Sequence, residues 1–241
     1  MRRLTWMPDE GVANAREVPV EVLLVSLHVD DDERRELTAL LSADERMRAD
    51  AFVHDRDRRR FIVVHARLRQ FVAERTIGTR PETVRFTVGQ HGKPALADQD
   101  LRFNLSHSDD LAAFAFAAGR EVGIDIEQVR SMPDADAVVE RFFSAREREA
   151  YRALPAGERL EAFFCCWTRK EAFMKAIGEG LACPLDSFDV NLAPGEPARL
   201  LRVGEVEGDR CGWLMHSFIP GPGFVGALAV SRDSSNAGVL R

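Results

Sequence analysis

A carboxylate and an ammonium one helical turn apart could serve a metal ion and a phosphate side by side. Glu171 and Lys175 have this spacing, and the apolar residues around them predict an amphipathic helix from about Glu158 to Ile177. The carboxylate could ligate the cation while the lysine contacts the anion. The same spacing also occurs in solvated Glu–Lys pairs on surface helices, and this segment alone leaves both interpretations open.

Two more carboxylates lie on a predicted strand. In Val122–Glu127 apolar and polar residues alternate, so Gly123, Asp125 and Glu127 share one face. Paired acids repel each other unless a cation lies between them. Oxygen ligands without a nearby Cys or His favour a hard metal, above all Mg²⁺. The segment therefore predicts a Mg²⁺ site, with a solvent-facing polar strand as the alternative.

A short segment rich in hydroxyl groups follows an earlier predicted strand. Ser106, His107 and Ser108 offer hydroxyls, backbone N–H groups and an imidazole, which together can hold a phosphate. A lone histidine is also common as a structural residue. Neither a Gly-x-Ser-x-Gly nor a Walker-type Gly-Lys-Ser/Thr motif occurs, which argues against α/β-hydrolases and P-loop enzymes.

Lysine is rare in this chain, so its positions are informative. Among the 33 lysines and arginines only Lys93, Lys170 and Lys175 are lysines. Because arginine is used everywhere else, we expect these positions to require a compact ammonium. Lys170 stands beside Glu171 and is expected to contact a phosphate or to support the carboxylates.

Composition limits the classes of function. The 241 residues are 45% hydrophobic and 30% charged, as in a globular protein, and the net charge of −6 argues against nucleic-acid binding. No apolar run reaches the roughly 20 residues of a membrane span. No apolar segment follows the basic N-terminus, so no signal peptide is predicted and a cytoplasmic location is expected. Eight arginines from Glu45 to Arg69 would suit a small anionic ligand, or would simply be solvated.

A weak internal repeat organises the predicted elements. At an offset of 102 residues, Arg67 and Phe71 on one predicted long helix match Arg169 and Phe173 on another, and strands follow each helix. The repeat predicts an α+β fold of two similar halves related by a pseudo-twofold axis. The active site would then lie in the cleft between the halves.

We place the division between the halves at residues 1–119 and 120–241. At the start of the chain, residues 1–19 are expected to be irregular because prolines and a glycine interrupt any pattern. A strand is predicted at Val20–Val29, with a polar turn at Asp30–Asp32.

Several short segments occur in a fixed order between about residues 42 and 190. They are Gly92–Pro94, Phe103–Ser108, Val122–Glu127, Trp167–Lys175, Gly178–Leu181 and Pro184–Phe188. Each is weak alone, but the ordered set resembles the 4′-phosphopantetheinyl transferases, and in particular the double-length, monomeric Sfp-type branch.

This resemblance implies that coenzyme A binds in the cleft and that Mg²⁺ is held by Asp125, Glu127 and Glu171. Lys175 and His107 would contact the pyrophosphate. A serine hydroxyl of a carrier protein would attack the β-phosphate of coenzyme A, and 3′,5′-ADP would leave. Glu171 is the first candidate to accept the serine proton, and Glu127 is the second.

The resemblance also implies contacts to the other end of coenzyme A. Lys93 and Pro94 would lie along the adenosine, and Arg48 and Arg60 would contact the 3′-phosphate. Glu45 departs from the family pattern, because relatives often carry a basic residue there. This departure shifts the expected 3′-phosphate contact to the neighbouring arginines.

The expected partners are coenzyme A and an acyl or peptidyl carrier protein, with neither nucleic acid nor membrane. A monomer is expected, since one chain supplies both halves. The segment Arg141–Leu154 offers basic and apolar side chains on which an acidic carrier could dock. The alternatives are a regulator that binds coenzyme A or a nucleotide without transferase activity, and a Mg²⁺-dependent phosphohydrolase.

Overall fold

Two α+β halves follow one another along the chain. The computed structural model describes residues 1–7, 19–89, 93–96, 100–178, 183–208 and 212–232. The motif residues Gly92 and Glu179–Leu181 lie outside those ranges. No helix within them is both long enough and apolar enough to cross a bilayer.

The first half packs a long helix on an antiparallel sheet. Its helices are α1 (Asp31–Ala39), α2 (Ala43–Asp50) and α3 (Asp55–Arg75). Its strands are β1 (Arg2–Trp6), β2 (Val20–Ser26), β3 (Phe86–Val88), β4 (Pro94–Leu96), β5 (Leu101–Ser108) and β6 (Leu111–Ala118). The sheet has the order β1-β2-β6-β5, and β3 pairs separately with β4. Apolar side chains of α3, including Leu68 and Phe71, bury one face of the sheet at Leu23 and Phe114.

The second half repeats this arrangement. Its helices are α4 (Ala135–Phe142), α5 (Ala145–Ala153) and α6 (Ala156–Ile177). Its strands are β7 (Val122–Gln128), β8 (Phe188–Val190), β9 (Leu200–Val203), β10 (Val206–Glu207), β11 (Trp213–Phe218) and β12 (Phe224–Ser231). Strands β11, β12 and β7 form one antiparallel sheet in that order, and β10, β9 and β8 form another. The core of this half joins α6 to the sheet through Phe173, Ala227 and Ala229.

The faces of the two large sheets that do not contact α3 or α6 share a third apolar cluster. Val22 and Ala115 come from the first sheet, and Ile124 and Leu228 come from the second. The layers therefore run from α3 through the two sheets to α6. The predicted α+β fold of two halves is confirmed, while the division at residue 119 stays a prediction.

The N-terminal part of the chain differs from the prediction. Arg2–Trp6 is not irregular but forms β1, which pairs along β2. The predicted strand Val20–Val29 ends at Ser26. The acidic run that was expected to form a turn begins α1 instead, because Asp30 Oδ1 accepts a hydrogen bond from the Glu33 N–H (2.8 Å). Acids in a first helical turn are further favoured by the helix dipole.

Both halves contain a similar buried ion pair between a short helix and a long one. Capping boxes lie at Ser42–Glu45 of α2 and at Ser144–Glu147 of α5, 102 positions apart. The glutamate of each box also binds a buried cation of the next long helix. These pairs are Glu45 with Arg69 (2.6 Å) and Glu147 with Lys170 (2.8 Å). The capping boxes recur at the offset of the sequence repeat and therefore support a duplicated unit, while the cation that pairs with the glutamate comes one position earlier in the second half, at an offset of 101.

Strand β7 and helix α6 approach so closely at Gly123 that no side chain fits between them. A Cβ there would lie 2.0 Å from the Ala172 carbonyl oxygen and 2.4 Å from the Ala176 nitrogen. We expect Gly123→Ala to lower the free energy of unfolding in urea by about 3 kcal/mol or more, since both neighbours are backbone.

Gly157→Ala is the matched control, because nothing lies within 4 Å of a Cβ at that position of α6. It should leave the stability unchanged or raise it slightly. Equal stability of the Gly123 and Gly157 variants would show that α6 does not rest on β7 in this way.

Glu45 should stabilise the fold in a pH-dependent manner. Burial raises its pKa, but hydrogen bonds from His65, Arg69 and the Ser42 N–H outweigh burial and bring the pKa to about 2. Because this value lies below the ordinary 4.5, the stabilisation is present above pH 4.5 and is lost as the pH falls towards 2. Glu45→Gln should lower the free energy of unfolding by about 3 kcal/mol at pH 7 and by progressively less below pH 4.

Urea denaturation at several pH values checks this expectation. Glu74→Gln on α3 is the control, because its side chain is 58% exposed and its surface ion pair with Arg75 should contribute little to stability. A constant difference between wild type and Glu45→Gln from neutral to acidic pH would contradict the prediction.

Candidate active site

A cleft of about 1560 Å³ is lined by residues of both halves. Several of the candidates from the sequence lie along it, namely Arg48, Lys93, Pro94, Glu171 and Lys175. Arg46, His65, Met174 and Gly178 also line the cleft. A cavity of this size has room for an extended ligand.

Asp125 is a buried carboxylate with one oxygen bonded within the protein and one oxygen left over. Its Oδ1 accepts hydrogen bonds from Ser106 Oγ (2.7 Å) and from Lys175 Nζ (2.7 Å). Its Oδ2 is buried and has no hydrogen-bond partner among the described residues. A buried carboxylate oxygen without a partner is costly, so this atom fits a cation.

Glu127 and Glu171 surround Asp125 with further negative charge. Burial, together with the charge of Asp125, raises the pKa of both glutamates. Within the described ranges no group of three or more His, Cys, Asp or Glu side chains is arranged as a metal site. The three carboxyl groups are nevertheless close enough for the charges of Asp125 and Glu127 to raise the pKa of Glu171, and carboxylate oxygens are the donors that a hard divalent cation prefers.

Positive charge meets these acids from Lys175, with His107 nearby. The Lys175 side chain is 29% exposed and lies in the cleft wall. Burial lowers the pKa of His107, and the charges of Lys175 and Arg60 lower it further. The His107 imidazole is therefore neutral at pH 7.

The hydroxyl of Ser106 is bonded to the Asp125 carboxylate and is not available to a phosphate. It donates to Asp125 and accepts from the backbone N–H of Ile126 (3.3 Å), and the residue is buried. The expectation that Ser106 contacts the cofactor is corrected on this ground, because both its donor and an acceptor position are used within the protein.

Lys170 does not reach the cleft. Its side chain is fully buried, and Nζ donates to Glu147 Oε1 (2.8 Å) and to the carbonyl oxygens of Leu185 (2.6 Å) and Phe188 (2.8 Å). Its ammonium also lies over the Phe188 ring. The expected catalytic and phosphate-binding role of Lys170 is therefore wrong, and the residue anchors α6 to the segment that follows it.

Lys93 lies in the cleft wall with its charge already paired. Nζ donates to Glu121 Oε2 (3.0 Å) and to the carbonyl oxygens of Val122 (3.3 Å) and Ala176 (3.0 Å). Burial lowers the pKa of Lys93, while the charge of Glu121 opposes that shift. Lys93 and Pro94 can border a ligand, but the ammonium ties the first half to β7 and α6.

The two arginines expected at the 3′-phosphate differ in their surroundings. Arg60 donates to Asp109 (2.8 Å) and Asp110 (3.1 Å) in the turn between β5 and β6, so its charge is used there. Arg48 lies over the Phe61 ring and lines the cleft. Arg48 therefore remains a candidate contact for the 3′-phosphate, whereas Arg60 is paired with the two aspartates instead.

The sequence reasoning missed what Asn104 and Ser108 do. Asn104 Oδ1 accepts from the Ile124 N–H (3.0 Å), and Ser108 Oγ donates to Glu127 Oε2 (2.7 Å). With Ser106 these residues recur every second position of β5 and so share one face. The sequence does show that polar side chains recur at every second position of β5, and this pattern could have indicated that they share a face.

Comparison with known families covers the segments that carry the candidate site. A sequence model of the 4′-phosphopantetheinyl transferase superfamily matches residues 121–213, which include the acids of β7 and α6. A model described as the N-terminal part of 4′-phosphopantetheinyl transferases matches residues 30–119, which include Ser106–Ser108.

Individual relatives extend the similarity over most of the chain. The 4′-phosphopantetheinyl transferase HetI of Nostoc sp. is 34% identical over 235 residues, which are 96% of this chain and 95% of that protein. The 4′-phosphopantetheinyl transferase Sfp of Bacillus subtilis is 32% identical over 165 residues, 68% of this chain and 72% of its own. With two family models side by side and one relative matching almost throughout, this chain belongs to the 4′-phosphopantetheinyl transferases and is an enzyme of that family.

Proposed function

We propose that this enzyme transfers the 4′-phosphopantetheine arm of coenzyme A to a serine of an apo acyl or peptidyl carrier protein. The reaction would require Mg²⁺ and release 3′,5′-ADP, and a single chain would carry it out. The observation that carries the proposal is the buried Oδ2 of Asp125, which has no hydrogen-bond partner among the described residues, while its Oδ1 is bound by Lys175 in the wall of a cleft shared by both halves.

The three acids Asp125, Glu127 and Glu171 would hold the Mg²⁺ ion. When bound, the ion would polarise the phosphate oxygens and offset the charge that develops on the leaving group. Burial, and after it the charge of Asp125, raises the pKa of both glutamates, so a bound cation would favour their charged forms.

The remaining groups have roles that follow from their charge. Lys175 and His107 would contact the pyrophosphate of coenzyme A. The carrier serine Oγ forms a bond to the β-phosphorus, the bond from that phosphorus to the oxygen of 3′,5′-ADP breaks, and the serine proton passes to Glu171. Burial raises the pKa of Glu171, which makes it a better proton acceptor than an ordinary carboxylate. Glu127 is the second candidate for this proton.

The adenosine end of coenzyme A would lie towards α2 and the start of β4. Pro94 and Lys93 border this part of the cleft, and Arg48 is the preferred contact for the 3′-phosphate. Glu45 does not leave a free negative charge there, because Arg69 and His65 both bind its carboxylate. The departure at position 45 is thus compatible with an anionic ligand.

Incubation with coenzyme A, Mg²⁺ and apo carrier protein should add one phosphopantetheine to the carrier, detected by intact mass. EDTA should abolish the addition, because the three acids alone carry no positive charge to the phosphates. A panel with one fatty-acid, one polyketide and one peptidyl carrier allows for carrier selectivity.

The failures of this assay have different meanings. If coenzyme A binds by calorimetry but no carrier in the panel gains mass, the regulator without transferase activity is favoured. If 3′,5′-ADP is released equally fast without any carrier, the protein is a phosphohydrolase. Addition that persists in EDTA would remove the metal from the proposal.

Asp125→Asn should reduce the rate of transfer by about 100-fold or more, because the amide keeps the shape of the side chain but loses its charge. Asp186→Asn, at an exposed position outside the cleft, is the matched control and should keep the wild-type rate. The rates are measured from 3′,5′-ADP release with saturating carrier. Near-normal transfer by Asp125→Asn would exclude Asp125 from the site.

A further inference from the structure

The serines of β5 bind β7 in the same way at two successive positions. Each hydroxyl donates to a carboxylate of β7 and accepts from the backbone N–H of the residue that follows it. The two sets are Ser106 with Asp125 Oδ1 (2.7 Å) and Ile126 N (3.3 Å), and Ser108 with Glu127 Oε2 (2.7 Å) and Gln128 N (3.1 Å). Ser106 is 5% exposed and Ser108 is 6% exposed. Their hydroxyls are therefore committed to this joint.

Asn104 forms the third contact of the same joint without an acid. Its Oδ1 accepts from the Ile124 N–H (3.0 Å), and the preceding residue of β7 is Gly123, which has no side chain. All three contacts thus join the halves through backbone N–H groups. Only at the two serines does the accepting atom also carry a proton, and that proton is donated to a carboxylate.

A hydrogen bond to one oxygen of a carboxylate fixes the direction of the other oxygen. Ser106 and Lys175 hold Oδ1 of Asp125, and Oδ2 is left buried without a partner among the described residues. Ser108 fixes Glu127 through a single oxygen in the same manner. The second oxygens of the two acids are therefore oriented by serines of the first half, with Lys175 of the second half also holding Asp125.

We propose that Ser106 and Ser108 are positioning residues that orient Asp125 and Glu127 for the divalent cation. The metal site would then be assembled across the joint, with acids from the second half and orienting hydroxyls from the first. This inference rests on the proposed function, since it needs the acids to be metal ligands. Groups that orient metal ligands commonly change metal affinity by about 10- to 100-fold when removed.

The test titrates Mn²⁺ into the protein, with and without coenzyme A, and follows free Mn²⁺ by electron paramagnetic resonance. Ser106→Ala and Ser108→Ala should each raise the Mn²⁺ dissociation constant about 10-fold or more. Ser108→Thr keeps a hydroxyl on a strand residue and should stay within about 3-fold of wild type. Unfolding midpoints are recorded for every variant.

Asn104→Ala is the matched control for a purely structural effect in the titration without coenzyme A, since Asn104 itself lines the cleft. It removes one contact of the same joint, so its unfolding midpoint should fall as in the serine variants, but its Mn²⁺ affinity should stay within about 3-fold of wild type. If metal affinity instead follows stability equally in all three alanine variants, the serines only join the halves and the proposal is overturned.

The experiment also separates this proposal from the function on which it rests. If wild type binds Mn²⁺ and both serine variants bind it equally well, the positioning role fails while the metal site stands. If wild type binds no Mn²⁺ even with coenzyme A, the metal assignment itself fails and the positioning role with it.

Discussion

The joint between β5 and β7 is the constraint on which the rest of the site depends. Strand β7 pairs with β12 along one edge, and its other buried edge must still satisfy its backbone N–H groups. Asn104, Ser106 and Ser108 supply side-chain acceptors there in place of a backbone ladder. Because two of these acceptors are hydroxyls, each retains a proton, which it donates to Asp125 or Glu127. The same bonds that join the halves therefore also orient the acids.

Helix α6 brings the remaining charged groups to this joint because it is held on two sides. The missing Cβ of Gly123 lets its backbone lie directly on β7. On the other side the buried pair of Lys170 with Glu147 ties it to α5. A buried ion pair is weak evidence for stability, since desolvation offsets most of the attraction, but it restricts where the helix can lie. That restriction places Lys175 against Asp125, where its charge partly offsets the repulsion among the acids.

The sequence predicts periodic elements well and the partners of polar residues poorly. The alternation of β7 and the helical period of α6 are visible because apolar side chains bury one face of each. Lys170 and Glu171 are neighbours that point about 100° apart around the helix, and no pattern tells which of them faces the cleft. Ser106 was expected to contact a phosphate. Its actual partner, Asp125, lies 19 positions later and across the joint between the halves, so the local sequence gives no sign of this hydrogen bond. The acidic run after β2 suggested a turn, although Asp30 is an equally good helix cap.

The internal repeat shows why the acids of the proposed site come from the second half. The capping box of α2 and the pair of Glu45 with Arg69 give the first half a frame similar to that of the second. At the same offset of 102 residues, however, Asp125 and Glu127 correspond to Leu23 and Val25, which are buried in the core against α3. Arg69 itself stands at the position that corresponds to Glu171 in the second half. Without acids at these positions, the first half contributes part of the cleft wall and the hydroxyls that orient the acids of the second half, so neither half alone would contain the complete proposed site.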